Sequence, residues 1–238
     1  MQQDGLQEVS LQLMEATHCN SMEVVRFLNT PVASNTYVVI DDKTHECIII
    51  DPGSKNPCDI VNYLNEHSLK LQYILLTHEH FDHCWGVKQL LDIYPAQVVA
   101  TKKCAEWLKI PRNYFNKLYF NSDETYCIDK IDIIVDEVDW ILQWGMHKLQ
   151  FYEANGHTDK GMCILLDNLF FTGDTILYKT KPYIKKRYGG DINNLQCTIK
   201  RLFSVIPQNV LACPGHGSPF QLSEAKEYYN NYFKKINK

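Results

Sequence analysis

The sequence predicts an α/β protein with four layers (αββα), in which helices cover the outer faces of two β-rich sheets. From Met22 onwards, short apolar runs bounded by turn residues alternate with stretches that have the apolar spacing of amphipathic helices. The same alternation recurs in the second half of the chain. A chain of 238 residues is also long enough to bury a sizeable core.

The first half of the chain begins with a predicted β-meander. Three apolar runs, MEVVRFL, NTYVVID and CIIIDPG, predict three successive strands. The last strand ends at the turn Asp51-Pro52-Gly53. A helix is predicted next, at CDIVNYLNEHS. The continuous apolar run LQYILL is typical of a strand buried on both faces, and it leads directly into the loop THEHFDH.

Helices and strands continue to alternate after this loop. Up to residue 110 the sequence predicts a helix, a strand and a helix, at GVKQLLDIY, QVVAT and KKCAEWLKI. Residues 110–129 fit either helix or loop, because their aromatic residues have no clear period. In the second half, strands are predicted at WILQW, KLQFYEA, MCILLD, NLFFTGD and NVLACPG, and helices at NLQCTIKRLFSV and SEAKEYYNNYFKKINK.

No repeat, low-complexity tract or linker marks a domain boundary within residues 22–238, so we expect them to form a single domain. Residues 1–21 are polar, with only a weak helical periodicity. They are expected to be an N-terminal tail or a short helix.

The composition excludes several classes of partner. A net charge of -4, from 24 basic and 28 acidic residues, gives no overall field that would attract nucleic acid or an anionic membrane. The N-terminus lacks the pattern of a signal peptide, and no stretch approaches the ~20 apolar residues of a membrane span. The nine cysteines are scattered singly, which favours free thiols in a reducing compartment. We therefore expect a cytoplasmic protein that does not contact membranes.

The strongest chemical signal is the run HEHFDH at residues 78–83. All but one of its residues are of types that can bind a borderline metal such as zinc. A buried strand is predicted before the run and an apolar helix after it, which argues against an exposed polar loop. A short loop can turn His78 and His80 toward one point while Asp82 and His83 reach a second point, as a two-metal site requires.

Three later turns supply further candidate ligands. His157 in NGHT, Asp174 in TGDT and His216 in PGHG each follow a predicted strand and adjoin a glycine. Each alone would suit an ordinary loop residue or cap, but together with residues 78–83 they complete a candidate metal centre. Surface or packing roles are expected for the remaining histidines, His18, His45, His67 and His147.

The order of these motifs, HxHxDH followed by GHT, TGDT and PGHG, resembles the metallo-β-lactamase superfamily, and in particular its glyoxalase II-like hydrolases. The resemblance runs from about Met22 to the end of the chain and includes NTYVV, DPG and LFFTGDTIL. It implies the four-layer metallo-β-lactamase fold, with two mixed β-sheets sandwiched between helices. It also implies a metal-dependent hydrolase.

The resemblance further implies how two divalent metal ions are held. One ion would be bound by His78, His80 and His157, and the other by Asp82, His83 and His216. Asp174 would bridge both, and an aspartate at this position argues against the antibiotic-degrading subclass that has cysteine there. Zinc is the expected metal, with iron and manganese as alternatives. A metal-bridging hydroxide would attack the substrate, and Asp82 would also be catalytic by orienting it and shuttling a proton.

The segment from Tyr178 to Gly190 carries five basic residues among aromatic ones. One interpretation is a solvated loop. The other is a cationic rim beside the metal-bearing turn that receives a carboxylate or phosphate of a small-molecule substrate. The candidate substrate-binding residues are Tyr183, Lys185, Lys186, Arg187 and Tyr188.

The region after the last candidate ligand bears on the substrate. Residues 217–238, 22 in all, follow His216. They are too few to form the full C-terminal helical region with which glyoxalase II enzymes bind glutathione. The resemblance therefore implies hydrolysis of a small thioester, ester or lactone in general, and not of hydroxyacylglutathione specifically.

Three other functions are compatible with parts of this pattern. Some short glyoxalase II-like relatives are persulfide dioxygenases, which use one iron and oxygen on a glutathione persulfide and do not use the second set of ligands. A phosphodiesterase that processes RNA shares the full ligand set, but it would carry a long basic arm that is not evident here. A non-catalytic binding or oxygen-sensing module has no need of a complete ligand set.

Overall fold

In the computed structural model, which describes residues 13–19, 21–136 and 140–236, thirteen strands form two mixed sheets. Helices pack on the outer face of each sheet, and a third apolar cluster lies between the sheets. The predicted four-layer α/β fold is therefore confirmed. No helix within these described residues has the length and apolarity needed to cross a membrane.

The first sheet has seven strands that lie in sequence order. Strands β1 to β4 are antiparallel because short connections join them, whereas β4 to β7 are parallel because helices connect them. The strands are β1 Leu13–Cys19, β2 Met22–Leu28, β3 Asn35–Asp41, β4 Glu46–Ile50, β5 Lys70–Leu75, β6 Gln97–Thr101 and β7 Ile133–Val135. The connecting helices are α1 Cys58–Glu66, α2 Phe81–Cys84, α3 Val87–Leu91, α4 Lys102–Leu108 and α5 Tyr114–Phe120.

The second sheet has six strands in the order β13-β12-β11-β10-β9-β8. Only the β11–β12 pair is parallel, because helix α6 connects these two strands. The strands are β8 Trp140–Trp144, β9 His147–Glu153, β10 Met162–Leu166, β11 Leu169–Gly173, β12 Leu211–Pro214 and β13 Phe220–Gln221. A 3₁₀ turn at Lys186–Tyr188 and the helices α6 Ile192–Val205 and α7 Leu222–Ile236 complete this half.

The apolar patterning of the strands determines how the layers pack. Ile48 on β4 and Phe171 on β11 belong to the cluster between the sheets. Leu64 of α1 packs in the outer cluster of the first sheet, and Leu195 of α6 packs in that of the second. Every residue of β10 and β11 is buried, as expected for strands covered on both faces.

The structure corrects the expectation for residues 1–21, which the sequence predicts to be a tail or a short helix. Residues 13–19 instead form β1 and pair antiparallel with β2, whereas residues 1–12 lie outside the described residues. A strand at this place supplies hydrogen-bond partners for the backbone of β2, which would otherwise be an open edge. Such a tertiary partner overrides the weak helical periodicity.

The candidate ligands are positioned at one edge of the two sheets. Parallel neighbours β4 and β5 end there in the first sheet, and β11 and β12 end there in the second. Hydrogen bonds join the two sheets at this edge. The backbone N–H of Asn35 donates to the carbonyl of Gly215 at 2.7 Å, and the backbone N–H of Met162 donates to the carbonyl of Thr77 at 2.8 Å. Clefts at the carboxyl ends of parallel strands are common ligand sites.

Candidate metal centre

The loop after β5 changes from extended to helical backbone within the histidine-rich run. His80 still has extended torsions, with φ -66° and ψ 141°, and α2 begins directly after it. Side chains two residues apart on an extended backbone point to the same side, which suits the pair His78 and His80. The first turn of α2 then carries Asp82 and His83 in another direction. The predicted division into two pairs thus has a backbone origin.

Three imidazole nitrogens meet at one point. His78 Nε2 and His157 Nε2 lie 3.0 and 2.9 Å from His80 Nδ1. The outer nitrogens are engaged elsewhere: His157 Nδ1 contacts the carbonyl of Tyr183 at 2.6 Å, and His78 Nδ1 contacts Thr77 Oγ1 at 2.9 Å. Because a carbonyl only accepts, His157 Nδ1 carries the proton and Nε2 of the neutral ring is left with a lone pair. Converging imidazole lone pairs suit a cation such as zinc.

A second group of ligand atoms comes from Asp82, His83 and His216, whose atoms lie within 4.8 Å of one another. Asp82 Oδ2 lies 3.4 Å from His216 Nε2 and 3.7 Å from His83 Nε2. His216 Nδ1 donates to the carbonyl of Ala33 at 3.0 Å, which turns its Nε2 toward the group. Two nitrogens and a carboxylate oxygen therefore face a second point.

The carboxylate of Asp174 lies between the two groups. Its Oδ2 is 3.5 Å from His157 Nε2 in the first group and 3.5 Å from His216 Nε2 in the second. Its Oδ1 is 3.6 Å from His83 Nε2. The structure thus brings together all seven residues that the sequence singles out as ligands, with Asp174 in contact with both groups.

The histidine pKa values shift in opposite directions in the two groups. In the first group, burial is the largest cause. It lowers the pKa of His80 to about 3 and holds the pKa of His78 well below its usual value, and neighbouring imidazoles add to the effect. Both rings are therefore neutral at pH 7, which is the form that binds a metal.

In the second group, burial would also lower the histidine pKa values, but nearby carboxylates outweigh it. They raise the pKa of His83 to about 9 and that of His216 to about 11. Burial would raise the pKa of Asp174, but the surrounding imidazoles hold it well below its usual value. The two carboxylates of this cluster, Asp82 and Asp174, therefore favour positive charge on its rings or between them.

Unpaired buried atoms provide a direct test of whether metal ions fit. Within the described residues, His83 Nε2 and Asp174 Oδ1 are buried at the second group without a hydrogen-bond partner. An unsatisfied buried polar group costs about 1–3 kcal/mol. A cation at this place would contact both atoms, and the imidazole and carboxylate donors suit a divalent transition metal. The residues present therefore fit divalent metal ions at both points.

Sequence reasoning missed Asp51, which it assigned only to a turn. Asp51 Oδ1 accepts a hydrogen bond from the amide of Thr77 at 2.7 Å, and its Oδ2 contacts His83 Nδ1 at 2.9 Å. The residue has a left-handed backbone, with φ 54°. The available signal was its place at the end of β4, since β4 pairs in parallel with the strand that delivers the histidine-rich run.

Two glycines allow backbone to approach the centre closely. A Cβ on Gly215 would lie 2.3 Å from Asp174 Oδ1 and 2.6 Å from His83 Cε1. A Cβ on Gly53 would lie 1.7 Å from the carbonyl oxygen of Asp82. All three separations are shorter than any tolerable contact, so only glycine fits at either position without displacing the candidate ligands.

The basic segment after Asp174 lies only partly at the centre. The ring of Tyr188 contacts the ring of His80 with centroids 5.3 Å apart, and Arg187 lines a pocket that also includes His80. The backbone of Tyr183 is the partner of His157. The side chains of Lys185 and Lys186 are exposed and do not line that pocket.

Comparison with known proteins shows sequence similarity to a family and to curated relatives. A family model described as the metallo-beta-lactamase superfamily matches residues 29–218. A hydroxyacylglutathione hydrolase from Citrobacter koseri is 26% identical over 216 residues, which cover 87% of this chain and 74% of that protein.

The solved structures that are similar in fold include a metallo-beta-lactamase and ETHE1. The BLEG-1 B3 metallo-beta-lactamase matches with a TM-score of 0.74 at 22% identity, covering 85% of this chain and 95% of that one. ETHE1 from Myxococcus xanthus matches with a TM-score of 0.70 at 21% identity, covering 85% of this chain and 81% of that one. At these identities the likeness concerns the fold alone.

Proposed function

Because this chain belongs to the metallo-β-lactamase superfamily, whose members are metal-dependent hydrolases, we propose that it hydrolyses a small thioester, ester or lactone with two divalent metal ions. The observation that carries the proposal is the position of Asp174, whose Oδ2 lies 3.5 Å from a histidine of each ligand group. The relative from Citrobacter koseri is named as a hydrolase of an acylated glutathione, which supports the same class of reaction.

The proposed assignment of ligands follows the two groups. His78, His80 and His157 would hold one ion, and Asp82, His83 and His216 would hold the other, with Asp174 shared. Divalent ions held by these residues would supply Lewis acidity and would lower the pKa of a bound water toward neutrality. We propose zinc as the metal, with iron and manganese as alternatives, because imidazole and carboxylate donors suit all three.

Asp82 has a role beyond holding a metal. Its Oδ2 faces His83 and His216, and 13% of its side chain is exposed, whereas the His83 side chain is fully buried. Water can therefore reach Asp82. Burial would raise the pKa of its carboxyl, but His83 and His216 together outweigh this and lower it, so the group is ionised at neutral pH. An ionised carboxylate can orient the attacking water, accept its proton and pass that proton to the leaving group.

The thiol that directly follows Asp82 and His83 supports attack by water. Cys84 Sγ is buried and contacts the carbonyl of His80 at 3.3 Å. Burial holds the pKa of this thiol well above its usual value. A protonated, buried thiol is a poor nucleophile, so the proposed reaction needs no covalent intermediate at this cysteine.

We propose a small anionic molecule as the substrate, received by the rim residues Tyr183, Lys185, Lys186, Arg187 and Tyr188. The position of Arg187 and Tyr188 beside His80 supports this part of the proposal. Neither nucleic acid nor a membrane is a proposed partner, since the net charge is -4. A cytoplasmic location belongs to the same proposal, because the eight described cysteine side chains are free thiols.

One observation favours a second candidate, a persulfide dioxygenase with a single iron. His78, His157 and Asp174 provide two imidazoles and one carboxylate, a set that suits ferrous iron with open positions for oxygen. The fold of ETHE1 from Myxococcus xanthus fits this candidate as well. The two candidates differ in the number and kind of metal ions.

The deciding experiment is elemental analysis of the full chain purified without added metal, followed by a panel of thioesters, esters and lactones. We expect close to two equivalents of zinc, iron or manganese per chain and hydrolysis of at least one member of the panel. About one equivalent of iron, with oxygen uptake on glutathione persulfide, would replace the hydrolase with the dioxygenase. Full metal loading without turnover of any substrate would contradict both.

A further inference from the structure

A pocket of about 230 Å³ opens beside His80. One wall contains Trp107, from α4, and Arg112, which precedes α5. Arg187 and Tyr188 from the 3₁₀ turn line the pocket as well. Because the pocket adjoins a proposed metal ligand, a substrate cleaved at the metal centre can extend into it.

Arg112 is held in a fixed position. Its Nη1 donates to the carbonyls of Trp107 and Ile110, at 2.6 and 2.9 Å, and its guanidinium carbon lies 3.9 Å from the centroid of the Trp107 ring. Within the part of the chain that the structure describes, Arg112 has no ion-pair partner. A guanidinium that is stacked and anchored on one side offers its other N–H groups to a ligand at little entropic cost.

Arg187 adds a second positive charge to the same pocket. Its guanidinium carbon lies 4.6 Å from the centroid of the Tyr188 ring, and it too lacks an ion-pair partner among the described residues. Glu79 also lines the pocket. Its Oε1 accepts a hydrogen bond from Thr158 Oγ1 at 2.7 Å and lies 3.6 Å from Lys160 Nζ, whereas its Oε2 is buried without a hydrogen-bond partner among the described residues. Neither arginine forms an ion pair with Glu79 within the described residues, so both guanidinium groups can bind an anion.

Aromatic side chains make the rest of the pocket apolar and rigid. Phe115 lines it and stacks on Phe81, with centroids 3.7 Å apart and an interplanar angle of 23°. Trp107 and Tyr188, which also line the pocket, supply further ring surface. Such surfaces favour a flat or branched apolar group. The volume of about 230 Å³ suits a group of about the size of one substituted ring.

We infer that Arg112 is a specificity-determining residue, and that together with Arg187 it binds a carboxylate at the far end of an apolar acyl group. This inference rests on the proposed function, because the metal centre must cleave the bond that joins the acyl group to its leaving group. Planar guanidinium groups bind carboxylates through paired, charge-assisted hydrogen bonds. Arg112 lies outside the basic segment of residues 178–190 and adds a second arginine to the lining of the pocket.

The test compares two thioesters of one small thiol with the zinc-loaded full chain. One acyl group is 3-(4-carboxyphenyl)propanoyl, and the other is its neutral 4-carbamoyl analogue. We expect the wild type to prefer the carboxylate in kcat/KM by about tenfold to a hundredfold, the range for a hydrogen bond to a charged group. Arg112→Gln should abolish most of this preference, chiefly through KM, and Arg112→Lys should restore only part of it.

Arg201→Gln is the matched control. Arg201 also donates a hydrogen bond to a backbone carbonyl, that of Glu153, but it lies on α6 and does not line the pocket. This variant should keep the wild-type preference. If Arg112→Gln fails to fold, Arg187→Gln provides a second test. This variant should fold, because no hydrogen bond of the Arg187 side chain is found among the described residues. It should also reduce the preference.

Binding of non-hydrolysable analogues separates this inference from the proposed function. Calorimetry with 3-(4-carboxyphenyl)propanamide and its 4-carbamoyl counterpart should show tighter binding of the carboxylate to the wild type, and equal binding of both to Arg112→Gln. Discrimination in binding without hydrolysis of either thioester would contradict the proposed function alone. Hydrolysis of both thioesters with no preference, or a preference that survives in Arg112→Gln, would overturn the role of Arg112. Tighter binding of a 4-phosphono analogue would overturn the choice of a carboxylate.

Discussion

Asp51 Oδ2 accepts a hydrogen bond from Nδ1 of His83 at 2.9 Å. The same oxygen accepts one from Thr77 Oγ1 at 2.5 Å, and Thr77 Oγ1 in turn contacts His78 Nδ1 at 2.9 Å. One buried carboxylate is therefore connected to a ring in each of the two ligand groups. A carboxylate behind a metal-binding imidazole fixes its tautomer and orientation and increases its basicity as a ligand.

The first prediction concerns this carboxylate. Asp51→Asn keeps the size of the side chain but removes its charge, so we expect metal affinity at the Asp82–His83–His216 position to fall by about 10- to 100-fold. Elemental analysis after dialysis against a weak chelator should then show close to one metal per chain.

Asp167→Asn is the matched control for Asp51→Asn. Asp167 Oδ2 likewise contacts His147 Nδ1, at 2.8 Å, but neither residue belongs to a ligand group. This variant should bind as much metal as the wild type. Equal metal retention by Asp51→Asn and the wild type would contradict the orienting role of Asp51.

The contrast between Asp51 and the ligands shows what the sequence can predict. Residues of metal-binding type cluster within the six positions 78–83, and each later candidate ligand lies beside a glycine. The local sequence pattern is therefore sufficient to find the candidate ligands. Asp51 acts through the parallel pairing of Ile50 with Leu75, which places the ends of β4 and β5 side by side. No local pattern encodes that pairing.

The same reasoning explains the other differences between sequence and structure. The strand β1 depends on its pairing with β2. The wall formed by Trp107 and Arg112 depends on tertiary contacts, including an isolated bridge between Arg112 and Tyr126. Both features depend on contacts with residues too distant in the sequence to affect the local periodicity. The order of strands β2–β6 and β8–β12 was predictable because it depends on apolar runs that are local, whereas the short strands β7 and β13 were not predicted.

The second prediction concerns Asp82 as a proton acceptor. Asp82→Ala should lower kcat by about 10²- to 10⁴-fold, because it removes the group that orients the attacking water and accepts its proton. The measurement is the initial rate of thioester hydrolysis at saturating zinc, with the bound metal quantified in the same sample. A variant with less than a tenfold loss of kcat at full metal content would show that Asp82 is not catalytic.

The third prediction concerns the shared carboxylate. Asp174→Ala should lower both turnover and metal content, because this side chain contacts His157 and His216 from the two groups at 3.5 Å each. Asp174→Asn, which keeps one ligand oxygen, should retain more metal than Asp174→Ala. If Asp174→Ala retained both metals and full activity, the bridging role would be ruled out.

The fourth prediction concerns the rim. Replacement of Lys185, Lys186 and Arg187 together by glutamine should raise KM for an anionic ester more than for a neutral one, because three positive charges beside the centre are lost. The Lys185→Gln/Lys186→Gln double variant should have the smaller effect, since neither side chain lines the pocket beside His80. An unchanged KM for the anionic ester in the triple variant would contradict a cationic rim.

The fifth prediction is that the two metal positions release different numbers of protons. At pH 7, in metal-free protein, His83 and His216 carry protons because their pKa values are raised to about 9 and about 11. A metal at their position must displace both protons, so its affinity should rise about a hundredfold per pH unit below pH 9. In contrast, His78 and His80 have lowered pKa values and have no proton to lose from their ligand nitrogens.

Calorimetric titration of metal-free protein with zinc, in two buffers of different ionisation enthalpy, measures the protons released at each step. The second group should release about two protons per ion at pH 7, whereas His78 and His80 should release none when the three-histidine position is filled. Raising the pH therefore favours occupancy of the second position and with it the dinuclear form. Equal proton release at both positions would mean that Asp82 and Asp174 do not keep His83 and His216 protonated at pH 7.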